Sequence, residues 1–318
     1  MKKFFKKENL KRIWAILLAT FKGFGEDKGM KLSASLAYYT IFSLAPLLML
    51  IISLAGIIYG EDAIQGTVFT EMKGLIGSEA AKQIQDMIKN VELSGKTNTA
   101  LIAGIVTLLI GATTVFIEIQ DSINTIWKVK AKPQRGWVKM LKDRLLSSSL
   151  IISLGFLLVV SLVINGVILA MADILTRVLP DITVVLIKIV NIVVSFIVIT
   201  VLFGIIFKFL PDVKIPWKDV KWGAFFTALL FMIGRFLIGL YIETTGTGSA
   251  YGAAGSLMVI LVWIYYTAAI LYLGAEFTQA YAEKMGEKIE PAEYAVHIEQ
   301  KELEHDVDVL PDQNNDKK

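Results

Sequence analysis

The chain has no cysteine, two histidines and seven prolines in 318 residues, and only 19% of it is charged. Without cysteine there is no disulfide framework, no thiolate nucleophile and no thiolate metal site. The two histidines, His297 and His305, lie in an acidic tail and lack H-E-x-x-H spacing, so no metal is expected. A glycine-rich loop ending in Gly-Lys-Ser/Thr is missing, and so is a G-x-S-x-G elbow. These gaps remove nucleotide-driven work and serine-nucleophile chemistry, and no cofactor is expected. Charge itself is missing between Lys31 and Glu61.

What is present is apolar. A hydrophobic content of 55% and a mean hydropathy of +0.60 exceed what a soluble domain carries, and place the chain in lipid. Uncharged stretches at 34–59, 97–117, 145–172, 189–207 and 244–275 approach or exceed the ~20 residues that cross a hydrocarbon core. A sixth, 222–242, is interrupted only by Arg235. None alternates as barrel strands do. The reading is an all-α integral membrane protein, a bundle of six helices at about 34–59, 99–125, 146–171, 182–208, 222–243 and 251–278. The first run is too long for a signal peptide, so no cleavage is expected.

Basic residues alternate in density from loop to loop. Nine precede the first span, seven lie in 128–146 and four in 208–221, against four in 60–98 and one in 172–181. By the positive-inside rule both termini and the two basic loops face the cytoplasm. Residues 1–32 form a cytoplasmic amphipathic segment, 33–281 the membrane domain, and 282–318 a tail. That tail holds eleven acids and five bases and reads as disordered. In "NLKRIWAILLATFKGF" the residues Leu10, Ile13, Trp14, Leu17, Phe21 and Phe24 recur at helical spacing among Lys11, Arg12 and Lys22. Such a helix lies on the inner leaflet, or else extends the first span into the cytosol. Apolar positions from Ile64 to Leu75 and Ile84 to Val91 predict a helical extracellular cap over 60–98.

Functional signal lies in polar residues inside the spans. Gly104, Thr107, Gly111, Thr114, Glu118, Asp121 and Thr125 fall on one stripe of the second span. Two readings are open: a packing seam of small residues, or a wet cavity ended by Glu118 and Asp121. The first span carries Ser35, Tyr39, Ser43, Pro46 and Ser53 on one face, with a kink expected at Pro46. In the last span Tyr265, Ala269, Tyr272 and Glu276 align. Arg235 is expected to be paired inside the bundle, to snorkel, or to meet an anionic substrate. "GTGSAYGAAG", with Gly252 and Gly255, reads as a turn before close helix packing.

Three segments carry a resemblance: "ASLAYYTIFSLAPLLML", "IQDSINTIW" and "YGAAGSLMVILVWIYYTAAILYLGAEFTQAYA". The last, with Tyr251, Gly252, Gly255, Trp263, Tyr265, Gly274 and Glu276 in order, is the most specific. Together they resemble the YihY/BrkB family of bacterial inner-membrane proteins, once labelled ribonuclease BN, over about residues 20–285. The resemblance implies a six-helix, multi-pass plasma-membrane protein with an envelope or lipid-related role. The ribonuclease label finds no support in the residues: the cytosolic loops 128–146 and 208–221 offer only Asp143, Asp212 and Asp219, where metal-dependent cleavage needs clustered ligands. "KVKAKPQRGWVKMLKDR" suits anionic lipid as well as RNA, and no nucleic-acid partner or enzymatic activity is expected. Two functions stay open: transport or translocation of a lipid or solute through a polar intramembrane cavity, and a non-transporting scaffold or assembly factor for the cell envelope. A homo-oligomer or an envelope-machinery partner is compatible with either.

Overall fold

The computed structural model describes residues 7–43, 82, 114–132, 180–245, 255–287 and 289–299. Helix α1 (Lys7–Glu26) is followed by α2, described over 29–43, and α3, described over 114–126. Then come β1 (Val129–Ala131), α4 (Pro180–Phe209), β2 (Val213–Lys214), α5 (Trp217–Thr245), α6 (Gly255–Met285), β3 (Glu290–Pro291) and β4 (Ala295–His297). The expected span at 146–171, the cap at 60–98 apart from residue 82, and Pro46, Gly104, Thr107, Gly111 and Gly252 lie outside the described residues.

Among the described residues, three helices are long and apolar enough to cross a membrane: Ile189–Phe209, Trp217–Tyr241 and Met258–Met285. At 1.5 Å rise per residue each reaches about 30 Å or more, the thickness of the hydrocarbon core. α4 opens on Pro180, a residue suited to the first helical position because its missing N–H has no helical acceptor there. It ends at Phe209 just before Pro211, whose ring and missing N–H cannot continue a helix.

α5 shows how these helices pack. Phe225, Leu229, Ile233, Phe236 and Leu240 are all exposed, on one outward stripe at three- and four-residue spacing. The inward side carries Gly223, Ala224, Thr227, Ala228 and Gly234. Large residues outside and small ones inside is the pattern that lipid permits, since leucine gains nothing by leaving hydrocarbon for protein. A Cβ on Gly223 would lie 1.8 Å from Thr278 Oγ1, and one on Gly274 would lie 1.9 Å from Thr227 Oγ1. Each glycine of one helix thus receives the threonine of the other, which fixes α5 and α6 antiparallel. Each threonine hydroxyl donates to its own helix, Thr227 to the Gly223 carbonyl and Thr278 to the Gly274 carbonyl, both at 2.7 Å. The seam is therefore dry, with its hydroxyls satisfied.

α1 packs on α6 through Ile16 and Thr20, which are fully buried. Ile13, Trp14, Leu18 and Phe21 point outward and are exposed, beside exposed Lys11, Arg12 and Lys22. A hydrophobic cluster joins Leu36 of α2, Ile123 and Ile126 of α3, Phe203 and Phe207 of α4, Val220 and Ala224 of α5, and Leu271 and Ala275 of α6.

One expectation is corrected. Residues 282–318 read as a disordered acidic tail, yet α6 runs to Met285 and residues 290–291 and 295–297 form two strands, while 300–318 lie outside the described residues. β4 pairs antiparallel with β1, Lys130 opposite Val296, and β3 with β2, Val213 opposite Pro291. Net charge misleads here because the segment is held by backbone pairing and by buried Ala295, not by a large apolar face of its own.

A charged cavity at one end of the bundle

The ends of α1 and α3, the α4–α5 connection and the C-terminal strands meet at one end of the bundle. α1 closes with Asp27 N–H donating to the Gly23 carbonyl at 2.8 Å, and Lys28 then turns into the left-handed region at φ 57°. α3 closes in the same way: Trp127 N–H donates to the Ile123 carbonyl at 2.9 Å, and Lys128 stands at φ 55°. A lysine in that conformation costs about 1–2 kcal/mol. Its ammonium, placed at a helix C-terminus, recovers part of that from the negative end of the dipole. Lys128 forms an ion pair with Asp27, tying the end of α3 to the end of α1.

Asp212, buried in the α4–α5 connection, is the centre of a second set of bonds. Its Oδ1 accepts from Gln120 Nε2 at 3.1 Å and its Oδ2 from Asn124 Nδ2 at 2.8 Å, while its own N–H donates to Asn124 Oδ1 at 2.9 Å. Its carbonyl accepts from Ala292 N–H at 2.9 Å. Trp127 Nε1 donates to the Ala275 carbonyl at 3.0 Å, linking α3 to α6.

Between these elements is a cavity of about 610 Å³. Its walls are Glu26, Asp27 and Lys28; Asp121, Asn124 and Thr125; the stretch from Lys128 to Ala131; Asp212; and Ile298. That volume lies within the range of small-molecule sites, but the lining carries charges of both signs where such sites are mostly apolar. A zwitterion, or a polar group brought in with its hydration shell, suits it better than a greasy ligand.

Of the residues singled out from the sequence, Asp121 lines the cavity and Glu118 and Thr114 lie half-buried on the same helix. Glu276 and Tyr272 are buried in α6, the Tyr272 hydroxyl beside Ser122 of α3. Gly274 belongs to the dry seam, and Gly255 begins α6. Tyr265 donates to Met30 Sδ at 3.2 Å, and Tyr39 is exposed with its ring 5.5 Å from that of Tyr38. Neither tyrosine reaches the cavity. Arg235 is half-buried and has an interaction partner, but it lies sixteen residues beyond Asp219 on α5, about 24 Å along the helix axis, and is no part of the site.

The periodicity of α3 picked out Asp121 and Thr125 but passed over Gln120 and Asn124, one position to the side. Those two sit inside "IQDSINTIW", one of the segments that carried the resemblance. Asp27, Lys28 and Lys128 carry no local signal in the sequence, and only the joining of distant loops shows their part.

A profile of the virulence factor BrkB family matches residues 20–298, which takes in every wall of the cavity. The chain belongs to this family. UPF0761 membrane proteins are similar to it: that of Azotobacter vinelandii is 28% identical over 269 residues, 80% of this chain and 60% of the relative. Those of Verminephrobacter eiseniae and Pseudomonas paraeruginosa are 27% and 26% identical, covering 77% and 79% of this chain and 57% and 59% of the relatives. The chain thus spans about three-fifths of the length of these curated relatives. No solved structure matches it. The YihY/BrkB resemblance read from the sequence is therefore the family of this chain, and the chain is a membrane protein.

Proposed function

We propose that this BrkB-family protein transports a lipid or a polar solute across the bacterial plasma membrane, with the charged cavity as its cytoplasmic vestibule and no enzymatic step. The cavity carries the reading: about 610 Å³ lined by Asp27, Asp121, Asp212, Lys28, Lys128 and Lys130, at the end of helices whose outer faces suit lipid. Charges of both signs around a wet space at the end of a membrane bundle are what a polar passenger needs in exchange for its hydration shell. The orientation that goes with it, six spans with both termini in the cytoplasm, is supported by the basic residues at this end. Lys128, Lys130, Lys208, Lys214, Lys218 and Lys221 all lie on its connections or on the helix turns that border them. Exposed Lys11, Arg12 and Lys22 on α1, next to outward Trp14 and Phe21, suit the anionic headgroups of that leaflet.

Because the chain has no cysteine, single cysteines report directly. In inside-out vesicles a membrane-impermeant thiol reagent should label Asp121→Cys and Thr125→Cys but not Ile117→Cys, which is exposed on the same helix away from the cavity. Purified protein in liposomes should move dye-labelled lipid or a charged solute, and Asp121→Lys should slow it. Silent labelling at both cavity positions, with no flux of either kind, would return the protein to a scaffold role.

A further inference from the structure

We propose that Glu276 and Asp27 together form a proton-binding site that is loaded and emptied through the cavity. Glu276 projects from α6 with only 5% of its surface exposed, and its Oε1 has no hydrogen-bond donor among the described residues. On the α1 side the fit is close: a Cβ on Gly23 would stand 2.5 Å from Oε2. A carboxyl pressed against backbone in this way leaves no space there for a metal ion. Among the described residues no group of three histidines and acids could hold one.

The Asp27 carboxyl lies within hydrogen-bonding reach of the Glu276 carboxyl. An ionised carboxylate only accepts, so two carboxyl groups can bond to each other only when one of them carries a proton. The geometry therefore admits H⁺ as the ligand. Charge balance gives the same answer. Lys128 faces the pair and is ion-paired to Asp27, while Glu26, the other acid at the end of α1, pairs with Lys22. On α3, Glu118 acts on Tyr272, one turn before Glu276, and on α5 Asp219 lies at Gly286 and Glu287, beyond the end of α6. Two carboxyls against one lysine leave one negative charge in excess, and a single proton removes it.

Asp27 is both a wall of the cavity and the partner of Glu276. A proton passes from cavity water to Asp27 and on to Glu276, and no other bond is made or broken. When it leaves, two like charges face each other, the one on Glu276 buried, and repel. The end of α1, closed on Glu276 through Gly23, is the element that yields, and it forms one wall of the cavity. Proton occupancy and cavity shape are thereby linked, and a passenger that favours one shape shifts the proton equilibrium. This coupling rests on the transport reading; the proton site itself does not.

The test uses the full chain, purified, with no substrate present. Infrared difference spectra across a pH titration should show a protonated-carboxyl band that Glu276→Gln abolishes. A pH jump in weak buffer should release one proton fewer per chain from that variant. Asp27→Asn, altered at the cavity edge, should shift the pH at which the band titrates. A band and a proton count in Glu276→Gln equal to those of the native protein overturn the proposal. Should Glu276→Gln fail to fold, an unmoved band in Asp27→Asn overturns it. Flux plays no part in these readouts, so a protein without transport would sink the vestibule reading and leave the proton site standing.

Discussion

The α5–α6 seam and the charged end of the bundle join helices by opposite means. In the seam Gly223, Thr227, Gly274 and Thr278 bring two backbones together, and each hydroxyl is spent inside its own helix. At the charged end the helices stop short of one another, and the space is bridged by Asp212, Asn124, Trp127 and the Lys128–Asp27 pair. The first joint tolerates no added volume and has no water to lose. The second is held by polar groups that must each find a partner, and it encloses a cavity. Both kinds of joint are made on α6.

Substitutions should separate the two. The largest effect is expected at the seam. Gly274→Leu should prevent stable folding in detergent, and Gly274→Ala, whose Cβ meets Thr227 Oγ1, should lower stability by about 1–3 kcal/mol. Thr227→Ala in the same chain should restore part of the melting temperature. Cysteine labelling of the cavity at Thr125 should be unchanged in whatever fraction folds. If Gly274→Ala melts like the native protein, the seam is looser than described.

Asp212→Ala comes next. It leaves the buried amide of Asn124 and the half-buried amide of Gln120 without their acceptor, at about 1–3 kcal/mol for each group that water does not reach. Unlike the seam variants it should also change the labelling rate at Asp121→Cys and Thr125→Cys, because it loosens a cavity wall. Lost stability with unchanged labelling would make Asp212 a plain structural tie.

The smallest effect is expected where the strands meet water. Lys214 donates to Glu293 Oε1 at 3.0 Å, and this hydrogen bond, with the lysine's charge, holds the Glu293 carboxyl below the usual carboxylate range. A lowered carboxylate contributes stability above its unfolded pKa and loses it as the pH falls through its folded one. Lys214→Ala should therefore remove a small part of the acid dependence of melting and change nothing at neutral pH beyond measurement error. A clear loss at neutral pH would mean that β2 and β3 depend on this pair.

The long apolar elements were legible in the sequence because length and absence of charge leave little else for them to be. α4 and α5 extend past the expected spans 182–208 and 222–243 at both ends and α6 runs to Met285, past the expected end at 278, because polar first and last turns such as Trp217–Lys221 continue the helix. Glu276 and Asp121 were legible as polar groups in apolar surroundings. Asn124, Asp212 and Asp27 were not, since nothing local distinguishes a buried polar side chain from a solvated one. Their roles come from contacts across up to 101 positions of sequence, as between Asp27 and Lys128. The strands at 290–297 were hidden for a related reason. Two and three residues of backbone pairing leave almost no compositional trace, and the surrounding acids point the other way.

Those strands also set an order of events in biosynthesis. β3 and β4 lie beyond α6, yet their partners β2 and β1 precede α5 and α4 in the chain, and Ile298 supplies one wall of the cavity. A ribosome that has delivered α1 through α6 has therefore made all the membrane-crossing helices described here but not a finished cavity. Closure waits for a stretch of about ten residues that must find two loops already folded at that end of the bundle. Insertion into the bilayer and completion of the site are separate steps, and a nascent chain passes through the first without yet having the second.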